Sequence, residues 1–128
     1  MSDPRLQSLI QMVTKLRTDG KPMDVPISIF VGGSLIRGTL ITQEEYYRFC
    51  GGMIEEFGNA AEEGELAGII QGNASLVDLN DLFPECVHIH ATIIYCGGGN
   101  ILPPETRLPW RGLLERVDGY FFGKMIPR

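Results

Sequence analysis

Positive charge is scarce in this chain. Eleven Lys and Arg stand against 16 Asp and Glu in 128 residues, for a net charge of −5 and a pI near 4.9. That balance argues against electrostatic capture of nucleic acid or anionic lipid, which depends on neutralising phosphates with basic side chains. Cysteine is also rare: Cys50, Cys86 and Cys96 are an odd number without CxxC spacing. On a strand Val87–Tyr95, Cys86 and Cys96 would lie at opposite ends, roughly 30 Å apart at about 3.3 Å per residue, too far to bridge. A reducing cytoplasm is the simpler setting. No apolar run approaches the roughly 18 residues of a membrane-spanning helix. Met1-Ser2-Asp3-Pro4 carries an acid and a proline where a signal peptide needs basic and then apolar residues. With 44% hydrophobic and 21% charged residues, the chain suits one globular domain over 1–128 and is not disordered throughout.

The pattern along the chain predicts an α+β fold. Asp3-Pro4 is a helix start, and Leu6, Leu9, Ile10, Val13 and Leu16 recur at helical spacing until Gly20 and Pro22 stop them. Val25, Ile27, Ile29 and Val31 alternate with Pro26, Ser28 and Phe30 as a strand, and Gly32-Gly33 turns it into a return strand Ser34–Ile41. Ile36, Gly38 and Leu40 should face inward there, with Arg37 and Thr39 outward. Gly38 inside a strand implies a bend or a close neighbour.

Thr42-Gln43-Glu44-Glu45 is a capping box for a central amphipathic helix. Its apolar stripe is Tyr46, Phe49, Cys50, Met53, Phe57 and Ala60, and fraying is expected beyond Ala61. Leu66–Phe83 gives no clear pattern. Val87–Cys96 then alternates throughout, with Val87, Ile89, Ala91, Ile93 and Tyr95 on one face. His88, His90, Thr92, Ile94 and Cys96 fall on the other. Gly97–Thr106 is expected to be a flexible loop. Arg107–Arg116 and Tyr120–Ile126 should form a closing hairpin about Asp118-Gly119. The sum is a curved, mostly antiparallel five-stranded sheet or small open barrel, flanked by an N-terminal and a central helix. An Sm-like or SH3-like barrel is one version.

Candidate chemistry is thin. His88 and His90 share a strand face with Cys96, and imidazoles with a thiolate could hold a transition metal. Cys96 lies six residues beyond His90, however, and a polar outer strand face is the simpler reading. A nucleophilic Cys96 would need a base or a helix N-terminus beside it, and the sequence places neither there. Gly97-Gly98-Gly99 lacks the Lys-Ser/Thr and the following helix of a phosphate loop. Glu55, Glu56, Glu62, Glu63 and Glu65 lack calcium-loop spacing and suit a solvated helix face. No catalytic residue, metal ligand or cofactor site is therefore assigned.

The most informative segment is Ile93–Lys124, IIYCGGGNILPPETRLPWRGLLERVDGYFFGK. Trp110 alternates with Leu108, Gly112 and Leu114 and should be core, while Arg111 points the other way toward Glu115. Tyr120-Phe121-Phe122 must put rings on both sheet faces, so at least one ring seeks a helix, a loop or another subunit. Self-association through these three residues is the expectation.

Trp110-Arg111-Gly112, Asp118-Gly119 and Gly123 make a signature that resembles the gas vesicle protein U family of accessory proteins. The likeness runs from about Val25 to Lys124 and is strongest in Ile89–Cys96 and Trp110–Lys124. In Gly33–Tyr47, Gly38, Thr39 and Glu45-Tyr46 also fit. It implies a non-catalytic cytoplasmic factor acting beside gas vesicles in assembly or clustering. Its partners would be copies of itself and shell or other vesicle proteins. Two alternatives from other classes remain. One is an Sm-like nucleic-acid-binding or scaffold module; the other is a small thiol- or metal-dependent enzyme using Cys96 with His88 and His90.

Overall fold

The computed structural model describes residues 3–21, 23–57, 84–103 and 105–123, without the side chains of 54–57. The first helix, α1 (Pro4–Thr18), begins where the sequence requires. Asp3 caps it by accepting from the Arg5 amide at 2.8 Å, and Gly20 leaves it at φ +70°. The buried Leu6, Ile10 and Val13 then face one side of a sheet.

Six antiparallel strands build that sheet: β1 (Pro26–Val31), β2 (Ser34–Ile41), β3 (Cys86–Cys96), β4 (Gly99–Asn100), β5 (Leu108–Leu113) and β6 (Val117–Phe122). Gly32 and Gly33, both at positive φ, close the β1–β2 hairpin. The α+β class stands, and the sixth strand is the two-residue β4. It turns the expected flexible loop at Gly97–Asn100 into a tight hairpin on the end of β3. Asn100 secures it, its Oδ1 accepting from the amides of Ile94 and Leu102 at 3.1 Å each.

The spatial order is β5-β3-β2-β1-β6, with β4 also on the outer edge of β3. This corrects the closing hairpin. β5 pairs with β3 and β6 pairs with β1, at opposite edges of the sheet, and the turn between them is a 3-10 helix at Leu114–Arg116. Asp118 and Gly119 lie inside β6, and Gly119 is not at positive φ. The Asp-Gly signal was overridden because β5 pairs along β3 and β6 along β1 rather than with each other. Three residues linking opposite edges oblige the sheet to curl until those edges approach at one corner. No ladder joins β5 to β6 among the described residues, so the sheet stays open.

Two bulges set the faces. Arg37 pairs with Ile93 and Gly38 with Ala91, which leaves Thr92 as an extra residue. The alternation expected along the whole of β3 therefore breaks there. Val87, Ile89 and Ala91 are inward before the bulge and Ile94 after it, while Tyr95 is exposed. The second bulge lies in β6, where Phe30 pairs with Gly119 and Val31 with Val117, leaving Asp118 unpaired.

Inward residues from β1, β2 and β3 meet α1 in one core, joined by Leu114 and edged by Leu108, Trp110, Val117 and Tyr120. The second helix, α2 (Gln43–Phe57), packs on the other face of the sheet against β3 and β5. Its capping box forms as expected. The Glu45 amide donates to Thr42 Oγ1 and the Thr42 amide to Glu45 Oε1, both at 3.1 Å. Arg17 of α1 donates to the same Glu45 oxygen at 3.1 Å, tying the two helices together at that end. Glu44 and Arg48 pair one helical turn apart. The continuation toward Ala60, fraying past Ala61, Leu66–Phe83, Glu62, Glu63, Glu65, the Glu55 and Glu56 side chains, and 124–126 of the last strand lie outside the described residues.

Candidate functional site

The His88–His90 face is not the solvated surface its polarity suggested, because α2 covers it. His88 is 2% exposed with its ring 5.1 Å from Tyr46, and the His90 ring stacks on Phe49 at 4.3 Å and 12°. Burial holds the His90 imidazole below its ordinary value; Arg107 pushes the same way and Glu45 opposes. Cys96 lies at the far, exposed end of the strand, where its sulfur accepts from Ser34 Oγ at 3.7 Å. The structure thus does not bring Cys96 to the two histidines. Among the described residues no three His, Cys, Asp or Glu side chains form a metal-ligand group.

The C-terminal signature residues have separable packing roles. Trp110 lies over Gly112, where an added Cβ would come within 2.3 Å of the Trp110 ring. The inward phase of Leu108, Trp110 and Leu114 is as the alternation predicts, with Trp110 half-buried at the core's edge. Arg111 points outward and donates to the Tyr47 hydroxyl at 2.7 Å, so its partner is α2 rather than Glu115. Burial disfavours its charge, but hydrogen bonds to Cys86 and Tyr47 outweigh that and raise its pKa. Asp118, freed by its bulge, accepts from the Gly32 amide at 3.0 Å and so braces the β1–β2 turn. Gly123 leaves β6 at φ +90° and donates to the Pro26 carbonyl at 2.9 Å.

Tyr120, Phe121 and Phe122 divide between faces as the strand period demands. Tyr120 packs against the core and Phe121 meets Phe30 at 5.9 Å between ring centroids. Phe122 touches Tyr120 edge-on at 5.6 Å yet is 56% exposed, and Phe30, on the opposite face with Phe121, is 41% exposed. Among the described residues no strand pairs with the outer edge of β6. Exposed rings on both faces of the sheet therefore lie near an open strand edge.

A second feature has no signal in the sequence. Arg37 and Thr39 of β2, His90 and Thr92 of β3, and Arg107 before β5 line a depression of about 270 Å³ over Gly38, Pro26 and Gly123. Arg37 and Arg107 are 70 positions apart in sequence, and only the pairing of β2 and β5 with opposite sides of β3 makes them neighbours.

These elements define an α+β domain whose curled antiparallel sheet lies between two helices, with one aromatic edge left open. Over residues 3–125, nearly its whole length, the chain matches the gas vesicle protein GvpU-like family and belongs to it. That membership makes it a gas vesicle accessory protein. The match begins at α1, well before the Val25 at which the resemblance is first legible. Neither the curated proteins nor the solved structures give a match. No helix among the described residues is long and apolar enough to cross a membrane.

Proposed function

We propose that the protein is a cytoplasmic, non-catalytic factor that promotes gas vesicle assembly or clustering by self-associating through β6. The observation that carries this reading is the coincidence of the open β6 edge with exposed Phe122 on that strand, Phe30 of β1 being exposed on the opposite face. An unpaired edge offers a row of backbone donors and acceptors to a second strand, and adjoining rings supply apolar area. Edge-to-edge pairing of two β6 strands would give a twofold dimer, the commonest closed symmetry. The signature at Trp110, Arg111, Gly112, Asp118, Gly119 and Gly123 maintains the sheet that presents this edge. Gas vesicle proteins, including those of the shell, are the partners such an oligomer would gather.

The test is Phe122→Lys, which places a charge on the proposed interface without touching the buried core. Sedimentation should show wild type as a defined oligomer and the variant shifted toward monomer at unchanged melting temperature. In cells that make vesicles, the variant should alter vesicle number or clustering by electron microscopy. A wild-type protein that stays monomeric at high micromolar concentration would overturn the self-association reading.

A further inference from the structure

We propose that the depression between β2, β3 and the segment leading into β5 binds a phosphate-type oxyanion, held chiefly by Arg37 and Arg107. The site adjoins the end of β6 but does not use its open edge, so binding there is tested without reference to self-association. Four observations support it. First, the lining is of one sign: two arginines, an imidazole and two threonines, with no acidic side chain among the described lining residues. In a chain with 16 acids and only 11 Lys and Arg, this is a local reversal of the overall charge. Two guanidiniums match the charge of a phosphate dianion, and each carries five N–H donors in a fork suited to paired oxygens. A guanidinium with that many donors can hold an oxyanion while keeping another contact.

Second, the place is built rather than incidental. The Thr92 bulge sets its hydroxyl against the Arg37 carbonyl at 3.4 Å, pinning β2 and β3 beside the depression. Third, glycine lies beneath the lining side chains. A Cβ at Gly38 would lie 2.1 Å from the His90 carbonyl oxygen, and Gly123 sits at a φ of +90° that disfavours any side chain. Fourth, His90 is held in place by its stack on Phe49, at a position where burial and Arg107 both disfavour its protonation. A bound anion would relieve that, so His90 is a natural reporter. The volume of about 270 Å³ falls just below the range of sites that enclose drug-sized ligands, which suits a small anion or the phosphate end of a larger molecule.

The experiment is an NMR titration of the full chain, following its two histidine rings, with inorganic phosphate and separately with adenosine monophosphate. Sodium chloride at matched ionic strength is the control, because screening alone weakens exposed charge interactions. The proposal expects a saturable shift of the His90 ring and an upward movement of its pKa that chloride does not produce. Tighter binding of the nucleotide would mark a phosphate carried on a larger molecule, and equal binding would mark the free anion. Arg37→Gln with Arg107→Gln should weaken binding at least tenfold, whereas Arg37→Lys with Arg107→Lys should retain part of it. Should the Gln pair fail to fold, the Lys pair and the wild-type comparison with chloride still decide. A phosphate response no different from chloride, or full binding by a folded Gln pair, would overturn the proposal.

Discussion

Gly38 of β2 and Gly119 of β6 lie inside strands away from the left-handed region, and they should respond oppositely to the same substitution. At Gly38 an added Cβ would stand 2.1 Å from the His90 carbonyl oxygen and 2.8 Å from the Ala91 Cα. Both obstacles are backbone, so no rotamer change relieves them, and β2 must separate from β3 at the bulge. Overpacking of this kind costs about 1–3 kcal/mol, and a backbone obstacle places Gly38→Ala in the upper half of that range. At Gly119 the same Cβ would meet only Phe30 Cδ2 at 4.0 Å. Gly119→Ala should therefore be neutral or stabilise by about 0.4–1 kcal/mol, through the reduced freedom of the unfolded chain. For 128 residues at about 2.1 cal/mol/K each, the unfolding entropy near the midpoint is about 270 cal/mol/K. Each kcal/mol then moves the Tm by about 4 °C, so Gly38→Ala should lower it by about 8–11 °C and Gly119→Ala raise it by up to about 4 °C. Thermal unfolding followed by circular dichroism reads both. Equal responses, or a Gly38→Ala protein melting within about a degree of wild type, would refute the β2–β3 register on which the argument rests.

Three further outcomes are expected. Trp110→Ala should cost about 3 kcal/mol, the low end for a large aromatic because the ring is only half-buried, measured by urea unfolding. Asp118→Ala should cost about 1 kcal/mol by removing the acceptor for the Gly32 amide, with faster amide exchange confined to the β1–β2 turn. His90 should make stability depend on pH in a defined direction. Its folded pKa lies below the ordinary 6.5, so the unfolded chain binds more protons between the two values. The contribution is full above pH 6.5, is lost as pH falls through it, and levels off below the folded value. Denaturation midpoints of wild type and His90→Gln should therefore show a larger acid loss for wild type over that window.

The fold is legible in the sequence where one residue or one short motif decides the geometry. The Asp3 cap, the Gly32-Gly33 turn, the Thr42–Glu45 capping box and the tight neighbour at Gly38 all follow from chemistry within a few positions. The inward phase of Leu108, Trp110 and Leu114 was legible for the same reason. What failed was long-range. Asp118-Gly119 carries a strong hairpin signal, yet β1 and β3 competed successfully for the two flanking strands. The alternation of β3 was projected through Thr92 because a bulge has no signature there beyond an ordinary threonine. The His88–His90 face looked solvated because nothing in the periodicity said that the central helix would fold over it. The arginine pair was invisible for a related reason, since its members become neighbours only through β3.

Net charge and local charge answer different questions in this protein. An overall −5 sets the field that an approaching polyanion meets, and it also opposes unlimited stacking of copies through an open strand edge. That field is screened over about 8 Å at physiological ionic strength, so it has little hold on an ion already inside a depression lined by Arg37 and Arg107. The acidic balance that argues against a long nucleic acid therefore does not argue against a small phosphate. The β6 edge and the arginine depression lie at adjoining parts of the sheet, since Phe122 pairs with Ile27 while its neighbours Gly123 and Pro26 help line the depression. An anion seated there would sit close to the end of the strand proposed to pair between copies. The coupling has a direct readout: phosphate should change the sedimentation of wild type, and should leave that of the Arg37→Gln, Arg107→Gln pair unmoved.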